Sequence, residues 1–400
     1  MTMVAPAIMV ILLSGCAEYS PAEKRAYADS AGDLVFTLND SVDVRIPSEW
    51  TGDILCLRNG EESLYLEPTG PETWVVPVFD GTVSLHADTG HWHDVLRPGE
   101  YRVPLRWEDQ AEPAPTPHWS PDTLSWKLQF GEEDPWLGQL YMQTSGTRCR
   151  GSIATATGDF RYLHGTLDTA GQLVLQTFDG AHLFRFSAQR GKDGMLTQGQ
   201  FFSGTHYRTP FVGTPWPADS SALTAAPAAQ WTGLPVRYAG LNLDGDSIEW
   251  AAENHTVPHI LSVMGSWCPN CMDEHRLLLR MMERHPDLHV HTLAFERSLD
   301  QPGGTERALA RLRRFQQNMG IDAFGPRWTL TLVGPASKSK AQEALPFLDR
   351  VVSFPTSIVH QPGDTELWIH SGFNGPAMGP AHELEVSRFE SAISGLKGNR

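Results

Sequence analysis

Trp267-Cys268-Pro269-Asn270-Cys271 is the stretch of this 400-residue chain whose residue types and spacing carry a definite chemistry. Two cysteines at this spacing can close a small disulfide or open to two thiols, and so carry two electrons. The apolar run His259-Ile260-Leu261-Ser262-Val263-Met264 before them predicts a buried strand. Asp273, Glu274 and the leucines after them predict the first turns of a helix. A Cys-x-x-Cys between a strand and a helix points to redox chemistry. Tetrahedral zinc would need two more ligands at suitable spacing, and no second Cys-x-x-Cys or Cys-x-x-His is present.

A helix N-terminus leaves unpaired N–H groups and a partial positive charge, which favour a thiolate. Cys268, at the helix edge, is therefore expected to be the attacking, more exposed sulfur. Cys271, one turn in, is expected to resolve the mixed disulfide. Pro269 suits a first turn, where its missing N–H costs nothing, and Trp267 can shield the pair and face a partner. Glu274 admits two roles: a proton shuttle for Cys271, or an acid that favours the helix dipole and stays solvated. Glu296, after a strand ending at Phe295, is a candidate of the same kind. Phe354-Pro355-Thr356 interrupts an expected strand from Val351 to His360, where a proline needs a special geometry such as a cis bond.

The elements around these residues divide the chain in two. From Leu34 to Val212, short alternating runs such as Leu34-Val35-Phe36-Thr37-Leu38 are separated by Asn59-Gly60, Asp80-Gly81, Asp179-Gly180 and similar turns, an all-β pattern. Gln110 to Pro121 holds four prolines and no periodicity. After residue 234 strands and helices alternate. Strands are expected at Val290–Phe295, Trp328–Val333 and Glu366–His370, and helices through Met282 and over Glu306–Met319, Lys338–Phe347 and Glu383–Leu396. That order predicts a mixed or parallel sheet covered on both faces. Arg311, Arg313 and Arg314 are expected on one exposed helix face.

With Pro355 added to the cysteine pair, the chain resembles the thioredoxin superfamily, whose cis-proline loop packs beside the disulfide. The separation of 355 − 271 = 84 positions leaves room for an inserted helix and strand. With Gly265-Ser266-Trp267 through Glu274 and the late Gly372-Phe373-Asn374-Gly375-Pro376, this resembles the TlpA/ResA-like thiol-disulfide reductases over roughly residues 234 to 397. The resemblance implies a fold class of an N-terminal all-β region followed by a C-terminal α/β thioredoxin-like domain. It implies a thiol-disulfide oxidoreductase working as a reductase without a cofactor, with Cys268, Cys271, Pro355, Glu274 and Trp267 as its site. The implied partners are oxidised protein substrates and a membrane thiol-electron donor. The stretches Thr157–Leu163 and Thr177–His182 are similar to the region preceding this domain in some bacterial relatives.

Thirty-one basic residues against 47 acidic ones give a net charge of −16, which argues against nucleic acid and anionic lipid as partners. Val4 to Leu13 is too short for a stop-transfer helix, and with Leu13-Ser14-Gly15-Cys16 it resembles the lipobox of bacterial lipoproteins. That resemblance implies lipidation at Cys16 and a periplasm-facing place in the cell envelope, with Ala17 leaning toward the outer membrane. Cys56 and Cys149 are left over, and in an oxidising compartment they either pair or stay as two buried thiols. The expected order is a signal peptide over 1–15, a tether over 16–33 and a β-rich region over 34–213, split near 107–121. A linker over 214–233 and the redox domain over 234–400 follow.

Two rival functions remain. One is a peroxiredoxin-like thiol peroxidase, although such enzymes usually place Thr three residues before the peroxidatic Cys, where Gly265 stands here. The other is an outer-membrane binding or scaffolding lipoprotein with an accessory redox domain. The pairs His91/His93 and His289/His291 are expected to pack rather than to hold a metal.

Overall fold

The computed structural model describes residues 30–77, 79–97, 99–110, 116–217, 229–297, 299–360 and 366–395. The signal segment, Cys16 and most of the expected tether lie outside the described residues. Eight antiparallel strands, from Ala31–Asn39 to Arg102–Asp109, close into a barrel, with Leu34 of the first opposite Trp107 of the last. Alternation along the strands sends Leu34, Phe36, Val44, Ile46, Trp50, Trp74 and Trp92 inward. Closure leaves no unpaired strand edge in this ring.

A second ring of eight strands runs from Leu124–Phe130 to Tyr207–Pro215, with one further short strand, Gly158–Asp159, attached to Arg148–Thr155. Its own core holds Trp126, Phe130, Phe186, Phe201 and Phe211. Most of the Trp and Phe residues of this half therefore build cores, while Tyr65 and Tyr207 stay exposed. The two rings meet where Phe178 enters the first core, 4.8 Å from Phe36 and 5.0 Å from Trp92 between ring centres. Beside it the Asn59 side-chain amide donates to the Phe178 carbonyl at 2.6 Å and accepts from the Phe178 N–H at 3.2 Å.

The possible Cys56–Cys149 disulfide is not formed; both are buried free thiols. Cys56 belongs to strand Ile54–Asn59 of the first ring, and Cys149 to the closed core of the second. The segment boundaries also move. The first strand starts at Ala31, inside the expected tether, and the second ring continues to Pro215, inside the expected linker. Trp231 already pairs with Leu348.

The remaining residues form a seven-stranded mixed sheet in the order Ser247–Ala251, Arg237–Leu241, Trp328–Pro335, His289–Glu296, His259–Met264, Thr356–His360, Trp368–Ser371. Strand His259–Met264 is parallel to His289–Glu296, which is parallel to Trp328–Pro335; the other pairings are antiparallel. Four helices accompany it: α1 Pro269–Arg284, α2 Gly304–Met319, α3 Lys338–Ala344 and α4 Pro380–Gly395. Ile260, Met264, Val290 and Ala294 pack with α1, α2 and α4 through Leu278, Met281, Leu312, Phe315 and Phe389. Leu261, Val263, Leu293 and Phe295 belong to the other cluster, with Ala341 of α3. The hairpin Arg237–Leu241/Ser247–Ala251 was not expected. Its strands are five residues each and half-exposed; Gly240 ends the alternation in the first, and in the second only Ser247-Ile248-Glu249-Trp250 alternates, too short a run to stand out. No helix among the described residues is long and apolar enough to cross a membrane.

Phe178→Ala should cost about 3–5 kcal/mol, because its fully buried ring fills the contact between two closed cores that cannot collapse around the void. Chemical denaturation checks this, and a loss below about 1 kcal/mol would show that the rings do not depend on it.

Candidate active site

Every residue of strand His259–Met264 is buried, and the strand ends at the turn Gly265-Ser266-Trp267. Cys268 follows as the N-cap of α1, its sulfur accepting the Cys271 N–H at 3.3 Å, with Pro269 in the first turn. Cys268 and Cys271 form a disulfide with their Cα atoms 5.3 Å apart. Cys268 keeps 6% of its surface exposed and Cys271 none, so the outer sulfur is the accessible one. The Cys268 sulfur lies 3.5 Å from the carbonyl oxygen of Phe354, and the Phe354–Pro355 bond is cis. Contrary to the expected strand Val351 to His360, residues 351–355 form no strand, and Pro355 stands just before Thr356–His360. A residue without an N–H closes the loop, and pairing starts with the next.

Trp267 caps the site. Its indole N–H donates to the Phe295 carbonyl at 2.9 Å, its ring meets Phe354 edge-on, and the Arg297 guanidinium sits 4.3 Å from its centre. The indole also explains Gly265. A Cβ there would stand 2.2 Å from the indole nitrogen and 2.8 Å from the Phe295 carbonyl oxygen, so no side chain fits.

Glu274 is not solvated. It is fully buried and accepts from the Ser262 hydroxyl at 2.6 Å and the Ser357 hydroxyl at 2.8 Å. Burial pushes its carboxyl up to about 7, against the pull of the two hydroxyls. Glu296 is also fully buried. It accepts from the Ser266 N–H and hydroxyl, both at 2.8 Å, and from Arg311 at 3.4 Å. Burial raises its carboxyl too, with Arg311 opposing. Arg311 therefore does not share an exposed face with its neighbours. It is 5% exposed and lies between Glu296 and Asp80, while Arg314 pairs with Asp80 at 2.7 Å. The buried carboxylate draws it inward.

Three features were invisible in sequence. The first is a directional chain. The Trp328 indole N–H donates to Thr292 Oγ1 at 2.9 Å, Thr292 bonds His275 Nε2 at 3.0 Å, and His275 Nδ1 bonds the Cys271 carbonyl at 2.8 Å. A carbonyl only accepts, so Nδ1 carries the proton and Nε2 accepts from the threonine. Burial pushes His275 down to about 4, which keeps it neutral. The second is Arg161 of the second ring, 4% exposed. It donates to Asp273 of α1 at 2.7 and 3.1 Å and to Glu62 of the first ring at 2.6 and 3.3 Å. The third is Asp159, whose backbone and side-chain oxygens accept from the Asn270 amide at 3.0 and 2.9 Å. The last two rest on contacts between residues 99 or more positions apart, which no local pattern announces.

Other expected positions lie away from the disulfide. His291 bonds Tyr238, Thr329 and His259, at 3.0, 2.9 and 2.9 Å, as a packed side chain. His91 meets Arg102 at 2.8 Å. Among the described residues no cluster of His, Cys, Asp or Glu is fit to hold a metal ion.

No protein-family model and no curated protein matches the chain. Solved structures similar to it cover about two fifths of it, and they include thioredoxin-like proteins and thiol-disulfide oxidoreductases. It is 20% identical to a thioredoxin-like protein from Aeropyrum pernix, over 40% of this chain and 88% of that one, with a TM-score of 0.28. It is 16% identical to the thioredoxin domain of a thiol-disulfide oxidoreductase from Bacteroides vulgatus, over 39% of this chain and 97% of that one (TM-score 0.24). A peroxiredoxin-like protein from Aquifex aeolicus is 10% identical, over 42% of this chain and 88% of that one (TM-score 0.26).

The buried Glu274 makes a pH prediction. Unfolded, its carboxyl titrates near 4.5; folded, near 7. Between these values the folded protein holds a proton that the unfolded chain has lost, so stability falls as pH rises through that window. Glu274→Gln should remove this component and gain up to about 3 kcal/mol on wild type between pH 4.5 and 8. Urea midpoints across that range test it, and parallel curves for the two proteins would contradict it.

Proposed function

We propose that the chain is a thioredoxin-like thiol-disulfide oxidoreductase acting as a reductase on protein disulfides. The carrying observation is a Cys268–Cys271 disulfide at a helix N-terminus, its outer sulfur 3.5 Å from the carbonyl before a cis proline. In the reduced form the Cys268 thiolate attacks one sulfur of a substrate disulfide, breaking that bond and forming a mixed disulfide. The Cys271 thiol then gives up its proton, with the Glu274 carboxylate as its proposed acceptor, and attacks the Cys268 sulfur. The substrate leaves as a dithiol, and Cys268–Cys271 closes with the loss of two electrons. A thiol donor restores them, which in this proposal is a membrane thiol carrier.

Lipid attachment through Cys16 on the periplasmic side, in the outer membrane, completes the proposal. The filled position at Gly265 favours the reductase over the peroxidase, since a Thr side chain would clash with Trp267.

Insulin reduction with dithiothreitol as donor is the test. Cys268→Ser should lower the rate at least about a hundredfold, as expected for loss of a covalent nucleophile. Cys271→Ser should accumulate the mixed disulfide. A double variant that reduced insulin as fast as wild type would rule this function out, and peroxide consumption surviving Cys271→Ser would favour the peroxidase.

A further inference from the structure

The residue between the two cysteines that faces the second ring is Asn270. Its side-chain amide donates to the Asp159 carbonyl oxygen at 3.0 Å, to Asp159 Oδ1 at 2.9 Å and to the Phe373 carbonyl at 3.3 Å. Asp159 is itself held. Its other carboxylate oxygen accepts from the Gly375 N–H at 3.2 Å and lies 3.5 Å from the Ser152 hydroxyl. Space there is fully used: a Cβ on Gly158 would stand 2.9 Å from the Asn270 amide nitrogen, and one on Gly372 would stand 2.8 Å from the Thr157 carbonyl carbon. One turn on, Asp273 is gripped by Arg161 from the same loop. The ring thus reaches into the Cys-x-x-Cys itself rather than resting on a remote face.

We propose that Asp159 is a positioning residue for the Cys268–Cys271 disulfide, acting through the Asn270 side chain that lies between the two cysteines. This rests on the thiol-disulfide function proposed above. Opening the disulfide frees the Cys268 sulfur, whose position as N-cap fixes the first turn that carries Asn270. An anchor that fits the closed geometry stabilises the oxidised state relative to the dithiol, and the reduction potential records that difference. Asp273 and Arg161 are the charged groups that face Asp159. Burial and the Asp273 charge together push its carboxyl up to about 7, with Arg161 opposing. Its contact with Asn270 is therefore made by an acid that is partly protonated at neutral pH.

The test is the redox equilibrium of the full chain against glutathione, read by the mass added on thiol alkylation. Asp159→Ala and Asn270→Ala should each shift the equilibrium toward the dithiol by about three- to tenfold, the worth of one net hydrogen bond. In the double variant the shift should not grow beyond that of Asn270→Ala alone, because both act through one contact. Asp159→Asn, which keeps an oxygen for the amide, should stay within about twofold of wild type. Equal potentials in wild type, Asp159→Ala and Asn270→Ala would overturn the proposal, as would shifts that simply multiply in the double variant. If Asp159→Ala does not fold, Asn270→Ala decides, since its half-buried position tolerates truncation, and a wild-type potential there overturns the role. Failure of the underlying function looks different: the wild-type pair would not titrate with glutathione at all.

Discussion

A guanidinium with almost no access to water is tolerable only when its charge is matched, and Arg161 is matched from two sides. Glu62 reaches it from the first ring and Asp273 from the first turn of α1, while Arg161 itself belongs to the second ring. Burial works against its charge, and the two carboxylates hold it cationic. Its backbone also sits at φ 54°, a conformation a side-chain-bearing residue adopts at a cost of about 1–2 kcal/mol. That cost and the desolvation are both met only while all three parts stay in register. Removing one partner of such a buried group typically costs about 3–5 kcal/mol. The site around Cys268 therefore inherits its placement from a contact most of a helix turn away from the sulfurs.

Glu274, Glu296 and Asp159, three of the buried acids on and around the cysteine helix, are each satisfied differently. Glu274 has two serine hydroxyls from neighbouring strands, Glu296 has a backbone N–H, a hydroxyl and a guanidinium, and Asp159 has an amide and a backbone N–H. Of these three only Glu296 has a direct cationic partner, whereas Asp273, also buried on α1, pairs with Arg161 and Arg276. Neutral partners suffice for Glu274 and Asp159 because both can be protonated near neutral pH. Next to Glu274, and also against the sheet, the neutral His275 ties the Cys271 carbonyl to Trp328 through Thr292. The first turn of α1 is thus fixed by the sheet, by the second ring and by its own cap at once.

The strand before the cysteines, the helix after them and most of the alternating elements were legible, because a fully buried strand and an amphipathic helix leave local signatures. The β texture of residues 34 to 212 was equally plain, and so were the cysteines and Pro355 as candidates. Closure of two rings was not legible, since pairing of the first strand with the eighth depends on shear and tilt rather than on any local pattern. Glu274 showed the limit in another way: an acid in a first helical turn looks solvated until the sheet that covers it is known. Arg311 failed for the same reason, its partner Glu296 lying on a strand in front of it. The stretch Thr157–Leu163 stood out, but the roles of Asp159 and Arg161 within it could not be read, because they lie in contacts 99 or more positions away.

Closure of the second ring has a consequence for one of the two spare cysteines, and burial for both. A molecule that trades disulfides risks crosslinking itself whenever one of its own thiols can reach the reactive pair. Cys149 is sealed in a barrel core where burial pushes its thiol up to about 12, and Cys56 is raised in the same direction. Both shifts favour the thiol over the attacking thiolate at neutral pH. For Cys149 the closed wall acts as quarantine as well as scaffold.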